Sequence, residues 1–173
     1  MCPITEDKMA MLMDVVKSIN SGLAADETLR LITSEAKSIT QSESGSLILA
    51  EEGTRNLHFV ASTDKNQHIL KMLRIPAGKG IAGIVAETGD ALIVNDAGGD
   101  PRIFKDVDTA TSTITRNLIC VPLMLKGRVL GVLEVINRLS GEYGEDDLLL
   151  LKSFADFAAL AINNRELYRR ARR

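Results

Sequence analysis

Glu134 stands in the strand-like sequence Val129–Asn137 (VLGVLEVIN), the only ionisable side chain in that run. By the period of two it shares a face with Leu130, Val132 and Ile136. An unpaired carboxylate in such company costs several kcal/mol, so Glu134 calls for a cation, hydroxyls, backbone amides or a ligand. The plainer alternative is a glutamate reaching water at a sheet margin. Asp108, Thr111 and Thr115 form a second group, spaced i, i+3 and i+7 within Phe104–Thr115. If the middle of that segment is helical, the three fall on one polar face. Four threonines and a serine make a poor isolated helix, so the segment is expected to depend on what it packs against. Its alternative is a solvated cap whose side chains bond their own backbone.

Gly78, Gly80 and Gly83 match G-x-G-x-x-G and open a short helix stopped by Gly89. A dinucleotide fingerprint needs a buried strand running directly into the first glycine inside a βαβ unit. Here Arg74 and Pro76 interrupt the approach, and the flanking elements read as antiparallel hairpins. What survives is more general: a glycine-rich turn presents free amides at a helix N-terminus, which suits an anion, or it is simply a tight turn. His58 and His68 have no cysteine or carboxylate cluster to join and read as surface residues, so no metal site is expected. Cys2 sits near a terminus and Cys120 in an apolar strand, a usage that fits a reducing, cytoplasmic compartment.

The elements that must position these groups follow from periodicity. Asn117–Asn137 is two apolar runs split at Lys126–Gly127, a β-hairpin covered on both faces and therefore central in its sheet. Before it come a helix over 6–20 with Met9, Leu12, Met13, Val16 and Ile19 inward, closed by Asn20-Ser21-Gly22. A second helix starts at Asp26 as N-cap with Leu29, Ile32, Ala36 and Ile39 inward. Strands follow at Gly45–Ala50, Leu57–Thr63 and Ala91–Val94. A final helix begins with Glu145, Asp146 and Asp147 and runs to the C-terminus. It carries two apolar stripes, Leu150/Phe154/Phe157/Ala161 and Leu151/Ala155/Ala158/Ile162, more than one sheet covers. Its arginine-rich end reads as a solvated helix terminus. With 173 residues, 45% of them hydrophobic, the chain can bury the core of one domain spanning 1–173. A net charge of −2 and six aromatics without Trp argue against a nucleic-acid surface. No run of about 18 apolar residues is present to span a membrane.

Four stretches together resemble a GAF domain: Ile75-Pro-x-Gly-x-Gly-Ile-Ala-Gly-x-Val-Ala-x-Thr-Gly89, the Asp-x-x-x-Asp-Pro of Asp96–Pro101, Thr115-Arg-Asn-Leu-x-Cys-Val-Pro-Leu123, and Gly131-Val-Leu-Glu-Val-Ile-Asn137. The resemblance implies an α+β fold: a central six-stranded antiparallel sheet, N- and C-terminal helices on one face, a ligand pocket on the other. It also implies small-molecule sensing and dimerisation beside an output domain, in cis or in trans. Within the family the chain is most similar to the domains of cyclic-nucleotide phosphodiesterases and cyclases. Their pocket positions correspond here to Ser46, Asp64, Ile81, Ala82, Phe104, Asp108, Thr111, Thr115 and Glu134. At Thr63 the family often has an aromatic that stacks on the purine, absent here. The Asn-Lys…Phe-x-x-x-Asp-Glu signature appears as Asn137, Arg138, Tyr143 and Asp147, with Leu148 in the last place.

These readings favour a regulatory domain, not an enzyme. It needs no cofactor and binds a small molecule, for which a cyclic nucleotide such as cGMP or cAMP is the leading candidate. The alternatives are a dimerisation and signal-relay module without that ligand and, more remotely, a free methionine sulfoxide reductase, whose chemistry needs accessible reactive thiols. The nine positions hold three carboxylates and no cation, so a phosphate is expected on the amides of Ile81, Ala82 and Phe104, with the carboxylates facing a base or ribose. An Arg138–Asp147 salt bridge and a homodimer through the terminal helices complete the expectations, with Ala158 and Ile162 at the seam if their stripe is the outer one.

Overall fold

The computed structural model describes residues 5–20 and 25–171. Its centre is an antiparallel six-stranded sheet in the order β3-β2-β1-β6-β5-β4. The strands are β1 (Ser42–Ala50), β2 (Leu57–Ser62), β3 (Arg74–Ile75), β4 (Leu92–Val94), β5 (Leu118–Leu125) and β6 (Arg128–Arg138). The β5–β6 hairpin turns on Lys126 and Gly127, both at positive φ (49° and 77°), the geometry whose twist suits a two-residue hairpin. β6 lies between β1 and β5, which explains its unbroken apolar sequence. Gly131 makes that close pairing possible, since a Cβ there would lie 2.1 Å from the Ile48 carbonyl oxygen of β1.

Helices α1 (Glu6–Asn20), α2 (Ala25–Ile39) and α6 (Glu145–Ala171) cover one face of the sheet. Leu29, Ile32, Ala36 and Ile39 of α2 are buried there as their spacing requires, against Leu47, Val121, Leu133 and Val135. Asp26 is not the N-cap: it lies in the first turn of α2, where its charge favours the helix dipole. On α1 the inward face differs from the expected one. Val15 is fully buried and Met11 and Leu12 pack on the core, while Met9 and Met13 are about half exposed (48% and 47%). The closing Ser21-Gly22 lies outside the described residues, as does Cys2.

Both stripes of α6 are used internally. Leu150, Leu151, Phe154, Ala155, Ala158, Ala161 and Ile162 are all buried, because α2 supplies the second surface beside the sheet. Ala158 and Ile162 are therefore not an outer stripe. The exposed apolar residues of α6 are Leu149, Leu160 and Leu167. Toward its end Arg165 pairs with Asp26 of α2 at 3.0 Å, so the terminus is tied down on one side.

At the start of α6, Arg138 and Asp147 meet at 2.6 Å. The same Asp147 oxygen accepts the Gly144 N–H (3.0 Å), capping the helix, and Arg138 also donates to the Ser140 carbonyl and lies 5.6 Å above the Tyr143 ring. The opposite face of the sheet carries α3 (Gln67–Leu70), α4 (Gly80–Thr88) and α5 (Lys105–Thr111). Two short elements, α3 and β3, come in addition to those the periodicity indicates. Among the described residues no helix is long and apolar enough to cross a membrane.

Candidate functional site

The face of the sheet opposite α1, α2 and α6 forms the floor of a cavity roofed by α3, α4, α5 and their loops. Its interior leaves about 70 Å³ accessible, within an envelope of about 690 Å³ that takes in open solvent at its mouth. Glu134 rises from the middle of the floor, where β6 pairs it with Ser46 of β1 and Cys120 of β5. Val132 and Ile136 share its face, but Leu130 does not. The β5–β6 register shifts after Leu123, and the irregularity turns Leu130 toward the helical layer. Burial pushes the Glu134 carboxyl up to about 7, the negative charge of Asp108 adds to the rise, and a hydrogen bond from the Cys120 thiol opposes it. The Cys120 thiol is itself fully buried, and that burial, followed by the Glu134 charge, holds it well above the ordinary thiol range.

All nine residues singled out from the sequence (Ser46, Asp64, Ile81, Ala82, Phe104, Asp108, Thr111, Thr115 and Glu134) line this one cavity. Asp108, Thr111 and Thr115 do not share a helical face, because α5 ends at Thr111. Ser112 then takes a left-handed conformation (φ 54°) and folds the chain back on itself. Thr115 consequently donates to Asp108 through both its N–H (2.8 Å) and its hydroxyl (2.7 Å), while Thr111 is buried and donates to the Val107 carbonyl. The same segment is latched to α3 by Asn66, whose amide donates to the Thr111 carbonyl at 2.8 Å. Ser46 exchanges a hydrogen bond with Ser62 (2.9 Å), whose hydroxyl accepts the Asp64 N–H (3.1 Å). The β2 end of the cavity carries the Ser46–Ser62 pair beside Asp64, and the α5 side carries the separate Asp108–Thr115 pair.

The other wall is the start of α4. Gly80 adopts φ 70°, and a Cβ there would come 2.8 Å from the Phe104 Cβ, so glycine lets the first turn of α4 approach α5. The N-cap side chain makes no capping bond to α4, which leaves the first-turn N–H groups of Gly80, Ile81 and Ala82 without an intrahelical acceptor, and all three residues line the cavity. Such amides attract negative charge.

Of the lining residues that escaped the sequence reading, two change the chemistry of the site. Lys79 precedes the free amides and lines the cavity, so the site does contain a cation. Phe59 projects from β2 onto the same face as Leu57, so the site also contains an aromatic although Thr63 is none. The alternation of β2 carried the signal for Phe59. The Thr63 hydroxyl instead accepts the Gly45 N–H at 2.9 Å, a structural bond. His58 is not simply a surface residue: it is half-buried, and its Nδ1 is enclosed without a hydrogen-bond partner. Among the described residues no group of three or more His, Cys, Asp or Glu is placed to hold a metal.

Known proteins resemble this chain in sequence and in fold. A probable 3',5'-cyclic phosphodiesterase, pde-5, of Caenorhabditis elegans is 29% identical over 94% of this chain. A cGMP-specific 3',5'-cyclic phosphodiesterase of Drosophila melanogaster is 27% identical over the same share. The chain spans only 24% and 16% of those two relatives. Among solved structures, the GAF domain of a phosphoenolpyruvate-protein phosphotransferase from Coxiella burnetii superposes with a TM-score of 0.83 at 17% identity, covering 93% of this chain and 95% of that one. A free methionine-R-sulfoxide reductase from Neisseria meningitidis superposes with a TM-score of 0.75 at 20% identity, over 90% and 88% of the two chains. At those identities the likeness concerns the fold alone. The family model for the GAF domain matches residues 24–162, which takes in the sheet, the cavity and most of α6; the chain belongs to the GAF domain family.

Proposed function

We propose that the chain is a regulatory sensor domain that takes a small organic effector into the cavity, with a cyclic nucleotide such as cGMP or cAMP as the first candidate. The observation that carries this reading is the polarity of the cavity wall. Free amides and Lys79 stand at the α4 side, and Asp108 and Glu134 stand on the floor and the α5 roof. A cyclic phosphate bears one negative charge and suits the former; base N–H and ribose O–H donors suit the latter. The similarity to cGMP-specific phosphodiesterases supports the same ligand class. Because the chain spans a quarter or less of those relatives, an output domain in cis or in trans belongs to the proposal, as does a cytoplasmic setting. A thermal-shift panel of cGMP, cAMP, cyclic dinucleotides, nucleotides and amino acids tests it. A ligand at 100 times its dissociation constant adds about 2.7 kcal/mol of stability. If no cyclic nucleotide shifts the transition, that ligand class is wrong.

A second reading, a dimerising signal-relay module, rests on the exposed Met9 and Met13 of α1 and Leu149, Leu160 and Leu167 of α6, which leave apolar surface on the helical layer. The two readings are compatible. Free methionine sulfoxide reduction is disfavoured, because among the described residues the one cysteine, Cys120, is enclosed in the sheet and its thiol is held protonated by its surroundings.

A further inference from the structure

The geometry points to Lys79 as the residue that makes the cavity select a guest with a negatively charged group over a neutral guest of the same shape. This rests on reading the cavity as a ligand site. Lys79 occupies a position that the glycine-rich stretch leaves open, the x between Gly78 and Gly80. Its backbone is extended (φ −90°, ψ 140°) immediately before the first turn of α4, and the residue lines the cavity beside the uncapped amides. Among the described residues it forms no ion pair, although three carboxylates line the same cavity.

An unpaired ammonium next to free amides attracts an anion more strongly than the amides alone, and it does so as a point charge that tolerates different anion geometries. Lys79 is also exposed, so its contribution is open to screening by salt. The amides then set where the anion sits, and the lysine sets how much its charge counts.

The test is isothermal titration of the wild-type chain, Lys79→Gln and Lys79→Arg with cGMP, which is anionic, and with guanosine, which keeps base and ribose but carries no charge. At low ionic strength Lys79→Gln is expected to weaken cGMP roughly two- to fivefold, as befits one exposed charge pair. Lys79→Arg retains affinity, and whatever binding guanosine shows is the same for all three proteins. Raising salt to about 0.5 M narrows the difference between wild type and Lys79→Gln on cGMP. Lys79→Gln binding cGMP as tightly as wild type overturns the inference while leaving the cavity reading intact, as does an equal loss for guanosine. A wild-type chain that binds neither ligand overturns the cyclic-nucleotide reading and the role of Lys79 with it.

Discussion

At the scale of single residues, Glu134 governs how the empty domain responds to pH. Its carboxyl titrates at about 7 in the fold against 4.5 for an ordinary glutamate, so the folded state holds the proton more tightly than the unfolded chain. The associated stability is fully present below about pH 4.5 and is lost as pH rises through 7, a change of about 3 kcal/mol. Glu134→Gln removes this dependence. In urea titrations the variant is expected to match wild type near pH 4 and to exceed it by up to about 3 kcal/mol near pH 8. Equal stabilities at both pH values mean that Glu134 is solvated or paired in the native protein. For a ligand that donates hydrogen bonds to the Glu134 carboxylate, the same substitution weakens binding by about 1.5–3 kcal/mol. Stability and ligand affinity therefore move in opposite directions at this one position.

At the scale of elements, two joints hold the frame. Gly131→Ala forces a methyl group into the Ile48 carbonyl of the neighbouring strand, and we expect it to cost about 1–3 kcal/mol in chemical unfolding. Arg138→Ala removes an ion pair whose side chains are only 20% and 13% exposed, a bond to the Ser140 carbonyl and a contact with the Tyr143 ring. Its expected cost is about 1–2 kcal/mol, with ligand affinity unchanged. That pair was legible through the resemblance, whose signature places a cation at Arg138 and a carboxylate at Asp147. The sheet was legible too, since β5 and β6 are long and apolar on both faces. What escaped was decided by tertiary context. α3 has four residues and β3 two, too few for a period to show. On α1 both Met9/Met13 and Met11/Leu12/Val15 satisfy helical spacing, and only the position of the neighbouring helices selects the second set. Thr115 joins Asp108 through a left-handed Ser112, a turn that helical counting misreads as a continuing face. Lys79 was overlooked because attention to the glycines on either side reads a motif by its fixed letters.

At the scale of the whole molecule, the exposed residues of the helical layer predict self-association. Leu149, Leu160 and Leu167 are spaced 11 and 7 apart, which places them along one line of α6. Sedimentation velocity at micromolar concentration is expected to show a dimer that Leu160→Glu dissociates without loss of fold. Ala158→Glu, by contrast, buries a charge in the core and unfolds the domain. A monomer at all concentrations removes the association reading. The order of the strands carries a kinetic consequence. β5 and β6 are joined by two residues and can zip locally, but the β1–β6 pairing that sets Ser46 beside Glu134 joins distant parts of the chain. A ligand that needs both Ser46 and Glu134 can bind only once that long-range pairing is made. A saturating ligand should leave the refolding rate in stopped-flow experiments nearly unchanged and slow unfolding by almost the full binding factor, so that occupancy of the cavity sets the lifetime of the folded domain.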